Sequence, residues 1–215
     1  MPPINLTPYE LHKKKWAGGC GSDYCDRARK LVFARGTIPA DLLFIGEAPG
    51  ESEDGAGRPF VGPAGKLLDY MIYQAIPHCR VKDHDTGIDQ MVPEIPYAMT
   101  NLVCCIPKEV DPDTGRRGKV SEPCPDQIGC CKERLSEFID ICQPKLIVAV
   151  GAVARDYMHQ GYKHSVKLPK HIHVVDIIHP GSLLKSGVNI AQRGYVIQNC
   201  VVVICNAIED HILGG

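Results

Sequence analysis

Glu47, Glu53 and Phe60 place carboxylates beside a flat aromatic ring within one short stretch of chain. The stretch follows an apolar run, Leu42 to Ile45, and between Gly46 and Pro59 holds four glycines, two prolines and four carboxylates. Glycine and proline fix backbone that must approach something closely. A loop at the carboxyl end of a strand in an open α/β sheet is where ligands bind. The segment therefore reads as a ligand site, against the plainer reading of a solvated acidic connector.

Cysteine is the second chemical feature, with eleven in 215 residues. Cys20 and Cys25 lie close together across a glycine-containing turn. Cys104 and Cys105 end an apolar run, and Cys130 and Cys131 open a helical one. Two thiols on one loop and two on separate elements form the donor set of a four-thiolate site, suited to zinc or to an iron–sulfur cluster. Spacing alone does not choose between these metals, or between a metal and buried free thiols. Cys200 and Cys205 sit in an apolar stretch and read as core, while Cys79, Cys124 and Cys142 carry no functional signal.

These groups need elements to hold them. Periodicity predicts a helix over 8–18, a buried strand over 41–46, and a helix over 64–76 that starts near Gly62 with Pro63 in its first turn. An irregular connection is expected over 77–96, a strand from Tyr97 to Val103, and a polar loop over 108–124. A helix from Pro125 to Cys142, a strand from Leu146 to Val150, a helix over 152–159 and a strand from His171 to Ile178 follow. Residues 189–212 read as a helix, although the β-branched Val201-Val202-Val203-Ile204 also suits a strand. Strands alternating with helices predict an α/β fold, with a mainly parallel central sheet flanked by helices on both faces.

Composition supports a globular chain: 44% hydrophobic, 23% charged, net charge −1. No apolar run approaches the ~20 residues of a membrane span, and the amino terminus lacks a signal-peptide core. A cytoplasmic protein without a membrane partner is expected. Lys13 to Lys15 and the Arg116-Arg117-Gly118-Lys119 run are the candidate basic patches, each also readable as a solvated charge run.

Four segments, in order, resemble the uracil-DNA glycosylases of family four, the iron–sulfur type. They are GEAPGESEDGAGRPFVGPAGKLLD (46–69), TNLVCC (100–105), the Cys131 helix with QPKLIVAVG (143–151), and HPGSLL (179–184). The resemblance covers about residues 20–185. It implies one domain over 1–215, with an extension to about residue 19, a motif-bearing core over 20–185 and a C-terminal segment over 189–212.

The resemblance also implies a function: hydrolysis of the N-glycosidic bond of uracil in DNA, single- or double-stranded, by a monomeric enzyme associated with the nucleoid when acting. Glu47, Glu53 and His179 would be catalytic. One glutamate would orient water or oppose positive charge on the sugar, and the other would fill the space of a thymine methyl. His179 would donate to uracil O2. Gly46, Ala48 and Gly50 would bring backbone N–H groups near base and phosphate, Phe60 would stack on the base, and Asn101 would read its edge. Leu183 and Leu184 would wedge into the DNA. Cys20, Cys25, Cys105 and Cys131 would hold a 4Fe–4S cluster, with zinc as the alternative. The chain departs from the family in the x4 spacing of Cys20 and Cys25 and in the length of the 108–124 loop. Two competing readings are a non-catalytic DNA- or partner-binding module of the same fold and a glycosylase for another deaminated base.

Overall fold

The computed structural model describes residues 6–21, 25–26, 28–82, 89–111, 113–115, 117–159 and 165–214. Arg116 and the side chains of Cys79 and Arg117 lie outside the described residues. Five strands form the main sheet: β1 (Ala34–Gly36), β2 (Leu42–Gly46), β5 (Tyr97–Asn101), β8 (Leu146–Val150) and β9 (His173–Ile177). Their order is β1-β5-β2-β8-β9, and only β1 runs antiparallel. The α/β sheet is thus mainly parallel, as expected. Strand β1 escapes sequence reading because three residues show no period.

The central strands LLFIG and LIVAV are buried at every position, the mark of a sheet covered on both faces. Successive side chains divide between the faces. Leu42, Phe44, Leu146 and Val148 face Leu68, Met71 and Ile72 of α3 (Pro63–Ala75) and Ile204 of α7 (Ile190–Ile208). Leu43, Ile45, Ile147 and Ala149 face Leu135, Phe138 and Ile139 of α4 (Pro125–Cys142) and Tyr157 of α5 (Ala152–Met158). The connections leaving β2 and β8 therefore cover opposite faces. Their adjacent carboxyl ends open a crevice of the kind that binds ligands in open α/β sheets.

Two expected loops are hairpins. Residues 77–96 contain β3 (His78–Lys82) paired with β4 (Asp89–Pro93), and 108–124 contain β6 (Lys108–Val110) paired with β7 (Arg117–Val120). Ribbons outside the two cores need no apolar alternation, so they leave no periodic trace. The β-branched run in α7 is helical because Val201 and Ile204, one turn apart, both bury against the core. The helical stretch Ile190–Leu213 is 24 residues, long and apolar enough by length and composition to cross a membrane. The sequence reading saw no such run. Here its inner stripe of Cys200, Val201, Ile204, Ala207 and Ile208 forms a wall of the core.

Helix α1 (Pro8–Lys15) opens with a capping box between Thr7 and Glu10 and lies on α4, where Tyr9 meets Phe138 edge-on at 5.8 Å. The Lys13–Lys15 run is occupied there. Lys15 pairs with Glu137, and Lys13 rests 4.9 Å from the Tyr9 ring centroid.

Candidate active site and thiol cluster

A cavity of about 350 Å³ opens beyond the carboxyl ends of β2 and β5, lined by Glu47, Glu53, Phe60, Asn101 and His179 among others. Its size falls within the range of small-molecule sites. Phe60 and Asn101 converge over Gly46. A Cβ there would lie 2.6 Å from Phe60 Cζ and 2.5 Å from Asn101 Oδ1, so glycine is what lets ring and amide approach together. Register supports the arrangement, since Gly46 lies beside Asn101 in the parallel β2–β5 pair. Asn101 is 3% exposed. Phe60 has φ 55°, a left-handed conformation costly for a non-glycine residue. Arg35 holds that backbone, donating from Nε to Pro59 O at 2.9 Å and from Nη2 to Phe60 O at 3.1 Å while paired with Asp69 at 2.6 Å.

His179 caps α6 (Pro180–Leu183), and its Nδ1 accepts the Gly181 N–H at 3.1 Å. An Nδ1 that accepts leaves the proton on Nε2, making Nε2 a donor. Burial pushes the His179 pKa below its ordinary value; Glu53 opposes this, and Lys185 adds to it. A neutral donor therefore faces the cavity at neutral pH.

The two glutamates differ. Glu53 Oε1 accepts from the Val61 and Gly62 N–H groups at 2.9 and 2.8 Å, and Oε2 from Gly50 N–H at 3.2 Å. Three backbone donors fill most of the acceptor capacity of one carboxylate. Glu53 thus ties the start of α2 (Glu51–Ala56) to the N-cap of α3. Of the two glutamates left open for the water, Glu53 is the one occupied by backbone donors, and the Gly50 N–H, expected near a phosphate, donates to it. Glu47 has no hydrogen-bond partner for its side chain among the described residues. Burial, with Glu122 adding repulsion, pushes its pKa up to about 7. Such a carboxylate can take a proton near neutral pH.

Ala48 and Gly50 line the cavity, as do Pro107, Val120 and Ser121, which sequence reasoning missed. These last three belong to or flank the β6–β7 hairpin. Lys108 at its base pairs with Glu51. The only sequence signal for this wall was the length of the 108–124 segment. Leu184 is 42% exposed, whereas Leu183 is 5% exposed and packs in the core. Leu183 thus anchors the turn, and of the two only Leu184 faces solvent.

The protein-family model of the uracil DNA glycosylase superfamily matches residues 33–195. The chain belongs to that superfamily. It is also similar to proteins named type-4 uracil-DNA glycosylase: 35% identical over 141 residues to that of Sulfurisphaera tokodaii and 32% over 141 to that of Saccharolobus solfataricus. Each of these matches takes in 62% of the chain. A third, from Thermotoga maritima, is 29% identical over 171 residues, covering 76% of both chains. The chain spans about half the length of the first two, 53% and 54%.

In this superfamily member five thiols meet on the α4 side of the sheet. Cys20 Sγ lies 3.4 Å from Cys25 Sγ and 3.6 Å from Cys131 Sγ; Cys25 is 3.7 Å from Cys105, and Cys104 is 3.9 Å from Cys131. All four expected ligands are together, and Cys104, set aside on sequence, joins them. Cys130 is exposed. Among the described residues no three His, Cys, Asp or Glu side chains are set around a common metal position. The thiols touch one another instead, and all are unbridged. The donor chemistry nonetheless fits a metal: four thiolates about 2.3 Å from one ion stand about 3.8 Å apart, close to the spacings found. Cys105 Sγ also accepts from Gln127 Nε2 at 3.3 Å.

Three other cysteines make local structural contacts. Cys124 caps α4 by accepting the Gln127 N–H, Cys142 points to Ala40 O, and Cys205 to Ala75 O. The thiol segment reaches the active-site loop through Asp54, which accepts the Arg29 N–H at 2.8 Å.

Proposed function

We propose that this chain removes uracil from DNA by hydrolysing its N-glycosidic bond, leaving an abasic site and free uracil. The observation that carries this reading is the convergence of Phe60, Asn101, His179 and an unpartnered Glu47 on one base-sized cavity. A nucleotide flipped from the DNA would stack its base on Phe60. Asn101 offers an acceptor for N3–H and a donor for O4, a pattern that cytosine fails on both counts. As the C1′–N bond breaks, its electron pair leaves with the base, and the His179 Nε2–H stabilises negative charge at O2. Water adds its oxygen to C1′ and gives a proton to Glu47, and the base is reprotonated as it leaves. The sugar passes through an oxocarbenium-like state, and ionised Glu47 also opposes its positive charge. Glu53 holds the loop rigid and supplies a fixed wall against a larger base, while Leu184 occupies the vacated stack.

The thiols would hold a metal centre, read from the resemblance as a 4Fe–4S cluster bound by Cys20, Cys25, Cys105 and Cys131. Its role would be structural, cross-linking the Cys20–Cys25 turn to the end of β5 and to α4. A second reading, zinc, is favoured by the close thiol spacing, because a cluster puts each thiolate on its own iron and needs the four further apart. Iron with inorganic sulfide, or zinc, in the purified protein decides between them. The protein acts as a monomer and one domain in this proposal.

The test is an oligonucleotide carrying one uracil, single-stranded or paired with G or A, with a hypoxanthine strand alongside. Abasic sites should form at uracil and be lost in Asn101→Ala and His179→Ala. Intact uracil with retained DNA binding would instead establish the binding module, and cleavage confined to hypoxanthine would establish a different damaged base.

A further inference from the structure

Arg134 lies on the inner face of α4, one turn beyond Cys131, and is 1% exposed. Its Nη1 donates to Thr100 Oγ1 at 3.3 Å, and its Nη2 donates to the carbonyls of Asn101 at 2.7 Å and Leu102 at 2.8 Å. Its Nε has no partner among the described residues. Every acceptor it has is uncharged. Among the described residues no carboxylate pairs with it: Glu133 is exposed, and Glu137 bonds Lys15 and Trp16. Arginine is not deprotonated in proteins, and an uncompensated buried charge is strongly destabilising.

The groups that feel this cation are few. Tyr9 and Tyr157 keep their phenol protons because burial raises both pKa values, and burial keeps His12 neutral. None of the three supplies negative charge. Cys131 lies one turn before Arg134 on the same buried face of α4, and the buried Cys104 lies two residues beyond Leu102, whose carbonyl accepts from Arg134. Metal binding deprotonates thiol ligands, and four thiolates around a divalent ion leave a net charge of two minus. An excess cation and a potential anion thus occupy the same dry region.

We infer that Arg134 is the built-in counter-cation of the thiolate centre and, through its bonds to the Thr100–Leu102 segment, ties occupancy of that centre to the placement of Asn101. This rests on the reading of the thiols as a metal site. Arg134 is a positioning residue in this scheme, because it reaches the base-reading amide only through the backbone.

The test compares wild type with Arg134→Lys and Arg134→Gln, each purified with metal bound, by metal content per chain and rate of metal loss to a chelator. Lysine keeps the charge; glutamine keeps amide donors without it. Gln should lose metal about 10–100-fold faster, the usual cost of removing a group that supports metal ligands, and Lys should stay near wild type. If the metal is an iron–sulfur cluster, Gln should also make its reduction potential more negative. Retention in Gln equal to wild type, or better than in Lys, overturns the counter-cation and leaves a plain hydrogen-bonding arginine. Metal-free wild type would sink the centre itself, a distinguishable failure. A further measurement needs no variant: stripping metal from wild type should speed amide hydrogen exchange at Thr100–Leu102, and unchanged exchange there overturns the link.

Discussion

The cavity and the thiol cluster lie at either end of one short segment, Asn101 to Cys105, yet they are built differently. The cavity takes its main groups from the ends of parallel strands of one sheet: Glu47 after β2, Asn101 at the end of β5, His179 after β9. Sheet hydrogen bonds therefore fix their spacing before any ligand arrives. The thiols come from a glycine turn, a strand exit and a helix, with no ladder in common. Pre-organisation suits catalysis, where groups must be in place as charge develops. In the proposed metal-bound state the thiol region would gain its order from a cross-link and from the charge balance of Arg134.

Breaking the cavity at its free carboxylate should give the largest effect. Glu47→Gln should lower uracil release about 10²–10⁴-fold, the usual worth of a general base, with DNA binding kept. In the wild type the rate should climb as pH rises through about 7 if the carboxylate form of Glu47 is the proposed base, because burial holds its pKa there. His179 is shifted the other way and adds no rise in that range. The rise should vanish from whatever rate Glu47→Gln retains. A pH profile unchanged by the substitution would exclude Glu47 as the base.

Removing metal sharpens the contrast next. Chelation, or Cys25→Ala, should cut activity by at least about tenfold, as losses around metal sites commonly do. Limited proteolysis should then cut near residues 20–30 while far-UV circular dichroism stays near native. Collapse of the whole sheet instead would mean that the two regions are not separately built.

Glu53→Ala should act mainly on stability. It leaves three backbone donors without their acceptor, which costs about 2 kcal/mol and is measurable as a lower denaturant midpoint. Its activity should fall by less than that of Glu47→Gln. Equal losses would return Glu53 to the chemistry. Lys108→Ala should be the mildest, about 1 kcal/mol, because its partner Glu51 is half exposed although Lys108 itself is buried. A few-fold rise in KM with kcat kept would place the β6–β7 hairpin in DNA binding rather than in catalysis.

Much of the scaffold was legible because it is buried. The runs Leu42–Ile45 and Leu146–Val150 are continuous apolar segments, and α4 shows its stripe through Ile128, Leu135, Phe138 and Ile139. Both hairpins were invisible, since short ribbons outside the cores obey no hydrophobic period, and so was β1, whose three residues are too few to show one. The site was legible as a set of residue types. Glu47 and Glu53, however, have the same chemistry and are six positions apart on one loop, so sequence could not divide their work. Leu183 and Leu184 were likewise equivalent until one turned inward.

Sequence by itself determined the mainly parallel α/β architecture, the superfamily and the cavity's principal residues. Local hydrophobic pattern suffices for the architecture, and the resemblance of four ordered motif segments supplied the superfamily and those residues. Tertiary structure alone decided which glutamate is free, which leucine is exposed, that Cys104 joins the thiols and that Arg134 is a buried cation without a carboxylate. Each depends on which groups meet across the fold, and hydrogen-bond saturation, burial and charge balance exist only once they have met.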